Sequence, residues 1–206
     1  MIGFYNPSVI LTYTGFVFAV ISLTKAANGQ IQWALLFLMI CGLCDMFDGT
    51  VARFVKRSED EKQFGIQIDS LCDLVCFGVL PAFICFFAAK ADAFRIISMA
   101  IYILAAIIRL GYFNVMAAKS PVEIYRGLPV TSAAGFFPLF LVLFNLLKLN
   151  LAISMNIFML VMAICFVADF PLKKPKKVQK VIILIAGIAV LILLITCGGD
   201  LNVNLQ

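Results

Sequence analysis

The chain has 206 residues, of which 64% are hydrophobic and 13% are charged, with a mean hydropathy of +1.08 and a net charge of +5. A soluble domain usually carries about a quarter charged and about half apolar residues, so the composition excludes an ordinary soluble protein and indicates a polytopic membrane protein. Histidine is absent, which excludes Ser-His and Cys-His nucleophiles and His-ligated metal sites. Any acid–base chemistry must use carboxylates, Lys, Tyr or Cys.

Seven apolar stretches are candidates for crossing the hydrocarbon core, which needs roughly 20 residues. They are Val9–Thr24, Ile31–Val55, Phe64–Ala89, Phe94–Ala118, Val130–Leu147, Leu151–Phe170 and Val178–Cys197. The first lacks a basic start and a cleavage site, so we expect a retained span. The sequence predicts an all-α, polytopic helical membrane protein of about seven transmembrane helices, with residues 1–206 forming a single membrane domain.

The distribution of basic residues predicts the orientation. The connections after the second, fourth and sixth stretches hold eleven Lys and Arg residues: Arg53, Lys56, Arg57, Lys62, Lys119, Arg126, Lys173, Lys174, Lys176, Lys177 and Lys180. The other three connections hold four: Lys25, Lys90, Arg95 and Lys148. Because cytoplasmic loops carry the excess of Lys and Arg, we expect the N-terminus on the cytoplasmic side of the cell (plasma) membrane. The positive charge then needs no nucleic-acid partner, and the lysine run contacts anionic membrane lipids.

Four aspartates interrupt the second and third apolar stretches. Intramembrane acids are costly and therefore indicate function. Asp45 and Asp48, at i and i+3, share one helical face, and Asp69 and Asp73, at i and i+4, share another. If the two helices form an antiparallel hairpin that turns near Glu59, the acids pair in two layers roughly 5–6 Å apart. We therefore expect a site between helices 2 and 3 at the cytoplasmic side.

Four carboxylates in two layers resemble a cage for two hard divalent cations. Oxygen-only ligands favour Mg²⁺ or Mn²⁺, and two such ions suit substitution at phosphorus. Gly49 removes a side chain where a ligand must come close, and Arg53 is placed for a phosphate oxygen.

Three other interpretations compete with this one. Intramembrane acids also serve proton or divalent-cation transport, although a transport pathway would spread them across the membrane depth. Structural ion pairing would need bases at matching depth, and Arg109 is the only candidate. A site built on thiolates is the third interpretation.

The thiolate site would use the cysteines that flank the acids. The chain has seven cysteines, which we expect to be buried free thiols. Cys41 and Cys76 share faces with the acids, whereas Cys44 and Cys72 are expected to point away, and zinc prefers four converging thiolates or imidazoles.

The spacing Asp45-x2-Asp48-Gly49-x2-Ala52-Arg53-x11-Gly65-x3-Asp69-x3-Asp73 resembles the signature of the CDP-alcohol phosphotransferases, with all eight positions filled. The resemblance implies an integral-membrane enzyme in which an alcohol displaces CMP from a CDP-linked lipid. It implies that Asp45, Asp48, Asp69 and Asp73 hold the metals, with Asp73 also the catalytic base. It further implies that Gly49, Ala52, Arg53 and Gly65 bind the CDP-lipid.

Two further stretches are similar to phosphatidylserine synthases of the bacterial and archaeal type: "IIRLGYFNV" (Ile107–Val115) and "YRGLPVTSAAG" (Tyr125–Gly135). This likeness implies CDP-diacylglycerol as donor and L-serine as acceptor, with glycerol 3-phosphate or an inositol phosphate as the alternative acceptors. The amino-terminal "NPSVILT" (Asn6–Thr12) is similar to the Pro-Asn-x-x-Thr start of the wider family, in reversed Asn-Pro order.

The acceptor would meet three polar residues, each with a second interpretation. Arg109 could bind the serine carboxylate or pair with the acidic cluster. Arg126 could bind the acceptor or serve as a positive-inside anchor. Asn114 could hydrogen-bond the acceptor or a neighbouring helix. Small residues such as Ala134 and Gly135 could support a homodimer contact.

Overall fold

A computed structural model describes residues 3–55, 57–89, 93–119, 124–173, 177–198 and 201. The described chain folds into eight α-helical segments: α1 (Pro7–Ala27), α2 (Ile31–Phe54), α3 (Glu59–Asp73), α4 (Leu80–Phe87), α5 (Ala93–Lys119), α6 (Ala133–Leu146), α7 (Leu151–Val167) and α8 (Lys177–Cys197). A π-helical turn, Leu74–Val79, joins α3 to α4 in one continuous rod, and a 3₁₀ turn, Val130–Ser132, precedes α6. Seven rods result within the described residues.

Each of the seven apolar stretches corresponds to one rod, so the predicted all-helical architecture is confirmed. Four rods are long and apolar enough to cross a membrane: Val9–Ala27, Ile31–Ala52, Glu59–Phe87 and Ala93–Met116. Shorter apolar helices cover Val130–Leu146, Leu151–Val167 and Ile183–Cys197. Large apolar side chains cover the outside of the molecule, as expected for helices that meet hydrocarbon.

The third rod begins earlier than its apolar stretch because its polar start is capped. The Ser58 hydroxyl accepts from the Glu61 backbone N–H at 3.2 Å, and the Glu61 carboxylate accepts from the Ser58 N–H at 2.8 Å. This reciprocal capping box satisfies two backbone donors that a helix start leaves open. The helix therefore starts at Glu59, in the connection between α2 and α3, and its register places Asp69 and Asp73.

The packing around α2 determines where the acids can meet. Helix α1 packs along α2 and also contacts α3 and α4, so it lies against both rods that carry aspartates. On another side, α6 crosses α2 closely: a Cβ added to Gly42 would lie 2.5 Å from the Ala134 Cβ. Ala134, considered above for a dimer contact, is buried in this contact within the chain, whereas Gly135 is exposed.

The structure also contains a short two-stranded sheet, which the sequence analysis did not predict. Strand β1 (Ile124–Arg126) pairs antiparallel with β2 (Pro171–Lys173). The turn after β1 requires glycine, since Gly127 has φ +71° and an added Cβ would lie 2.8 Å from the Ala168 carbonyl oxygen. The Gly127 N–H donates to the Phe170 carbonyl at 2.9 Å. The segments after α5 and α7 are thereby tied together.

Candidate active site

Three of the four predicted aspartates lie together. One carboxylate oxygen each from Asp45, Asp48 and Asp69 falls within 4.8 Å of the other two. Asp45 and Asp48 come from adjacent turns of α2, and Asp69 comes from α3. Asp48 is buried, at 7% exposure, and the other two are partly buried. The helical spacing read from the sequence therefore brings acids from two rods to one point.

Asp73 lies one helical turn beyond Asp69, at the side of this group. It lines a small cavity together with Asp45 and Asp48. Among the described residues, the group whose ligand atoms all lie within 4.8 Å contains the other three acids and not Asp73. The structure thus places Asp73 one turn from Asp69 and at a cavity that it shares with Asp45 and Asp48.

Thr12 on α1 completes this cavity and was not singled out from the sequence. Its hydroxyl donates a hydrogen bond to Asp48 Oδ2 at 2.8 Å, and its side chain lines the cavity. Thirty-six positions separate the two residues, so no local spacing links them. The one available signal was the resemblance of the stretch Asn6–Thr12 to the amino-terminal start of the family.

The predicted nucleotide-binding positions border open space. A Cβ added to Gly49 would meet nothing within 4 Å among the described residues, and one added to Gly65 would meet Arg57 Nη1 at 3.5 Å. Ala52 is partly buried one turn beyond Asp48. Arg53 belongs to the last turn of α2, and its side chain lies outside the described part of the structure. Near the acids, the small residues leave room rather than pack against a neighbouring helix.

In addition to Arg53, Arg57 is a basic residue in this part of the chain, and its side chain lies close to Gly65. In the sequence analysis it served only to predict the membrane orientation. Its guanidinium lies beside Gly65. Its Nε is buried and has no hydrogen-bond partner within the described residues. A buried donor without a partner is costly, so Arg57 is suited to an anionic ligand over Gly65.

The three acceptor candidates have identifiable neighbours. Asn114 Oδ1 accepts a 2.9 Å hydrogen bond from the Ser70 hydroxyl, which ties α5 to the residue after Asp69. The buried Arg109 donates from Nε to the Leu128 carbonyl at 3.2 Å and lies 5.5 Å from the Phe113 ring centroid.

Arg126 is exposed, and its Nη1 lies 2.7 Å from Asp169 Oδ2. Arg109 also donates from Nη2 to the Gly127 carbonyl at 3.4 Å, next to Arg126 in the chain. The structure therefore brings Asn114 beside the aspartate helix, bonds Arg109 to the segment that follows β1, and pairs Arg126, the last residue of β1, with Asp169.

The cysteines correct one expectation. All seven are free thiols, as predicted, with Cys41, Cys76 and Cys85 buried and the others partly buried. The prediction that Cys44 and Cys72 point away from the acids was wrong, because both line the cavity that the acids line. Thr12 and Gly15 of α1 line this cavity as well. The cavity is therefore bordered by α1 in addition to the two rods that carry the aspartates.

The donor set nevertheless favours a hard cation. Within the described chain, the group of ligand atoms that lies within 4.8 Å consists of carboxylates and includes no thiol. Carboxylate oxygens are the ligands that Mg²⁺ and Mn²⁺ prefer. Asp45, Asp48 and Asp69 therefore fit a divalent metal.

Comparison with known proteins agrees with the spacing and the geometry. The family model of the CDP-alcohol phosphatidyltransferases matches residues 5–196, which include every helix that lines the site. The chain belongs to this family. Membership of this family agrees with the finding that acids from two helical rods, α2 and α3, lie together.

Several curated relatives carry related names. The chain is 38% identical over 92 residues to a CDP-diacylglycerol–serine O-phosphatidyltransferase of Saccharomyces cerevisiae, covering 44% of this chain and 32% of that protein. It is 29% identical over 138 residues to the Helicobacter pylori protein of the same name, covering 66% and 57%. It is 35% identical over 117 residues to an archaetidylserine synthase of Methanothermobacter thermautotrophicus, covering 55% and 48%. The matched part of the chain thus spans 32% to 57% of the length of these relatives.

Proposed function

We propose that this protein transfers a phosphatidyl group from CDP-diacylglycerol to the hydroxyl of L-serine, giving phosphatidylserine and CMP. The observation that carries the proposal is the convergence of Asp45, Asp48 and Asp69 in a chain that belongs to this family. The names of the relatives, serine O-phosphatidyltransferases and an archaetidylserine synthase, support serine as the acceptor.

The donor side follows from the carboxylates and the open space beside them. Asp45, Asp48, Asp69 and Asp73 would hold two divalent cations, Mg²⁺ or Mn²⁺. Bound there, such ions neutralise the charge of the bridging phosphates and of the departing CMP.

The nucleotide part of the donor fits the adjoining open space. Gly49, Ala52 and Gly65 leave room for it at the end of α2 and the start of α3. Arg53 and Arg57 supply positive charge for its phosphates, which suits phosphate recognition by guanidinium groups.

On the acceptor side, Asp73 is the proposed base. The serine oxygen forms a bond to the phosphatidyl phosphorus, the bond from that phosphorus to the bridging oxygen breaks, and CMP leaves with the electron pair. The Asp73 carboxylate takes the proton of the serine hydroxyl. Because the chain has no histidine, a carboxylate within reach of the reacting oxygen is a suitable base.

Three residues are proposed to bind serine. Asn114 would bind it from α5, beside the aspartate helix, and Arg109 and Arg126 would supply charge for its carboxylate. Of the three, Asn114 is the candidate with the strongest support, because it is hydrogen-bonded to Ser70, the residue after Asp69.

We further propose an N-terminus and an active site on the cytoplasmic side of the plasma membrane. The excess of Lys and Arg in the connections after the second, fourth and sixth apolar stretches supports this orientation. A homodimer also remains a proposal, and it would have to use a surface other than the buried Ala134.

The test is CMP release by the purified protein in lipid nanodiscs. With CDP-diacylglycerol, Mn²⁺ or Mg²⁺ and serine, we expect CMP and phosphatidylserine in equal amounts. Asp48→Asn should abolish release, whereas Asp60→Asn, which alters an exposed acid in the first turn of α3, should retain it. No CMP release by the wild type, or release unaffected by Asp48→Asn, would overturn the assignment.

Parallel assays separate the alternatives. Glycerol 3-phosphate and inositol phosphate in place of serine test the sister reactions, and a CDP-linked archaeal ether lipid tests the donor. Metal flux into sealed vesicles that contain no lipid substrate would instead favour a cation transporter.

A further inference from the structure

The rod that carries Asp69 and Asp73 changes its helical geometry directly after Asp73. Residues Leu74–Val79 form a π-helical turn, and Pro81 follows it. Proline has no N–H, so Pro81 gives no backbone donor to this turn, neither to Cys76 in the five-residue pairing that joins the Leu80 N–H to the Val75 carbonyl nor to Phe77 in α-helical pairing. Inside a bilayer a carbonyl without a backbone donor must find another partner.

Tyr102 on α5 supplies this partner. Its hydroxyl donates to the Phe77 carbonyl oxygen at 2.7 Å. The side chain is completely buried, and its ring centroid lies 5.4 Å from those of Phe137 and Phe166. Packing of the ring on these neighbours restricts where the hydroxyl can lie. The hydrogen bond therefore holds the π-helical turn at a defined place against α5.

A second contact brings α5 against the same turn. A Cβ added to Gly78 would lie 3.2 Å from the Ala106 Cβ, so the backbone of the turn approaches α5 closely. Ala106 is one helical turn after Tyr102 on α5. The turn is thus fixed at two successive positions, Phe77 and Gly78, by one face of one helix.

The π-helical turn also borders the cavity that the aspartates line. Asp73 is the residue immediately before it, and Phe77 lines the same cavity as Asp45, Asp48 and Asp73. A shift of the turn therefore moves the backbone that carries Asp73. Because displacement by about 1 Å can cost about a hundredfold in rate, the position of this turn matters for any chemistry that Asp73 performs.

We propose that Tyr102 is a positioning residue for Asp73, acting through the Phe77 carbonyl and the π-helical turn that Pro81 leaves one donor short. The predicted effect of Tyr102 on kcat rests on the proposed function. Its predicted effect on metal binding by the carboxylates does not, because metal affinity can be measured without substrate.

The experiment compares Tyr102→Phe with the wild type in nanodiscs. We expect kcat for CMP release to fall about tenfold while KM for CDP-diacylglycerol stays within twofold, because the nucleotide-binding residues are untouched. We also expect Mn²⁺ affinity, measured by electron paramagnetic resonance without substrate, to fall several-fold. A merely structural role would lower thermal stability and leave both quantities unchanged in the folded protein.

A rescue variant and a matched control make the test specific. Pro81→Ala supplies a backbone N–H that can pair with the Phe77 carbonyl in α-helical geometry, so recovery of kcat and Mn²⁺ affinity in Tyr102→Phe/Pro81→Ala would support the positioning role. Ser98→Ala removes another buried hydroxyl from α5, one that bonds within its own helix to the Phe94 carbonyl, and should change neither.

The outcomes separate this proposal from the proposed function. Unchanged kcat and Mn²⁺ affinity in Tyr102→Phe would overturn the positioning role. If the wild type released no CMP, the proposed function would fail, while the Mn²⁺ comparison would still decide the role of Tyr102.

Discussion

The hydroxyl of Thr12 donates a 2.8 Å hydrogen bond to Asp48 Oδ2, so a residue of α1 orients a carboxylate of α2. Asp48 is the most buried acid of the cluster. A hydrogen bond to Oδ2 restricts the rotation of the carboxylate, one oxygen of which lies within 4.8 Å of an oxygen of Asp45 and of Asp69. Groups that orient metal ligands in this way contribute to metal affinity.

Replacement of Thr12 by Val should weaken metal binding while preserving side-chain volume. We expect Mn²⁺ affinity to fall about 10- to 100-fold, because Asp48 loses the donor that orients it. Thr12→Ser should retain most of the affinity. Thr14→Val, which removes an exposed hydroxyl that bonds within α1 to the Ile10 carbonyl, is the control. Equal affinities in Thr12→Val and Thr14→Val would contradict the orienting role.

Gly49 offers a way to separate folding from ligand binding. Since an added Cβ meets no described atom within 4 Å, Gly49→Ala should leave the thermal unfolding temperature unchanged or slightly higher, as alanine favours helix. If the space belongs to the donor lipid, KM for CDP-diacylglycerol should rise at least tenfold. Gly135→Ala, at another position where an added Cβ meets open space, should alter neither quantity. Normal donor kinetics in Gly49→Ala would show that the nucleotide lies elsewhere.

Helical periodicity was sufficient to predict that Asp45, Asp48 and Asp69 meet. Their spacing is local to two rods, and α2 contacts the other rod through its π-helical turn and α4. Thr12 could not be found in this way, because its partner is 36 positions distant and the contact depends on how α1 packs.

Other features depended on contacts that the sequence does not encode locally. The prediction assumed α-helix throughout the third stretch, so the π-helical turn after Asp73 was not expected; Tyr102, which bonds to it, lies in another span. Cys44 and Cys72 were misplaced because helical faces were considered for two rods alone, whereas the cavity also borders α1. The pairing of β1 with β2 joins segments more than forty residues apart.

Gly42 should be required for the position of α2. Gly42→Ala would place a Cβ 2.5 Å from the Ala134 Cβ, and because neither methyl group can rotate away, the helices must separate. We expect destabilisation by about 1–3 kcal/mol, observed as a lower unfolding temperature in detergent. Ala134→Gly in the same chain should reverse most of the loss. An unaffected unfolding temperature would mean that α2 and α6 are farther apart than described.

Ser70 and Asn114 should act as a pair on the acceptor side. Because the Ser70 hydroxyl donates to Asn114 Oδ1 at 2.9 Å, Ser70→Ala frees the amide to turn. We expect both Ser70→Ala and Asn114→Ala to raise KM for serine several-fold, with KM for CDP-diacylglycerol unchanged. The double variant should be less impaired than the two single effects predict when added, since the residues share one hydrogen bond. Strict additivity would show that they act separately.

Arg57 should contribute to donor binding. Its guanidinium lies beside Gly65 and has a buried Nε with no partner in the described part of the chain. Arg57→Gln should raise KM for CDP-diacylglycerol about tenfold or more, as expected when a charged hydrogen bond worth about 1.5–3 kcal/mol is lost. Lys62→Gln removes an exposed charge that pairs with Glu59 and serves as control. A similar KM in both variants would assign Arg57 to the membrane surface alone.

The packing of α1 against both acid-bearing rods has a consequence for biosynthesis. Among the described residues, those that line the cavity of Asp45, Asp48 and Asp73 lie between Thr12 and Phe77, so these walls are translated before α5 begins at Ala93. During insertion the carboxylates can therefore come together while Tyr102 and Asn114 have yet to leave the ribosome. The nascent chain would assemble its metal ligands first, and the helix that steadies Asp73 and reaches towards the acceptor would arrive afterwards.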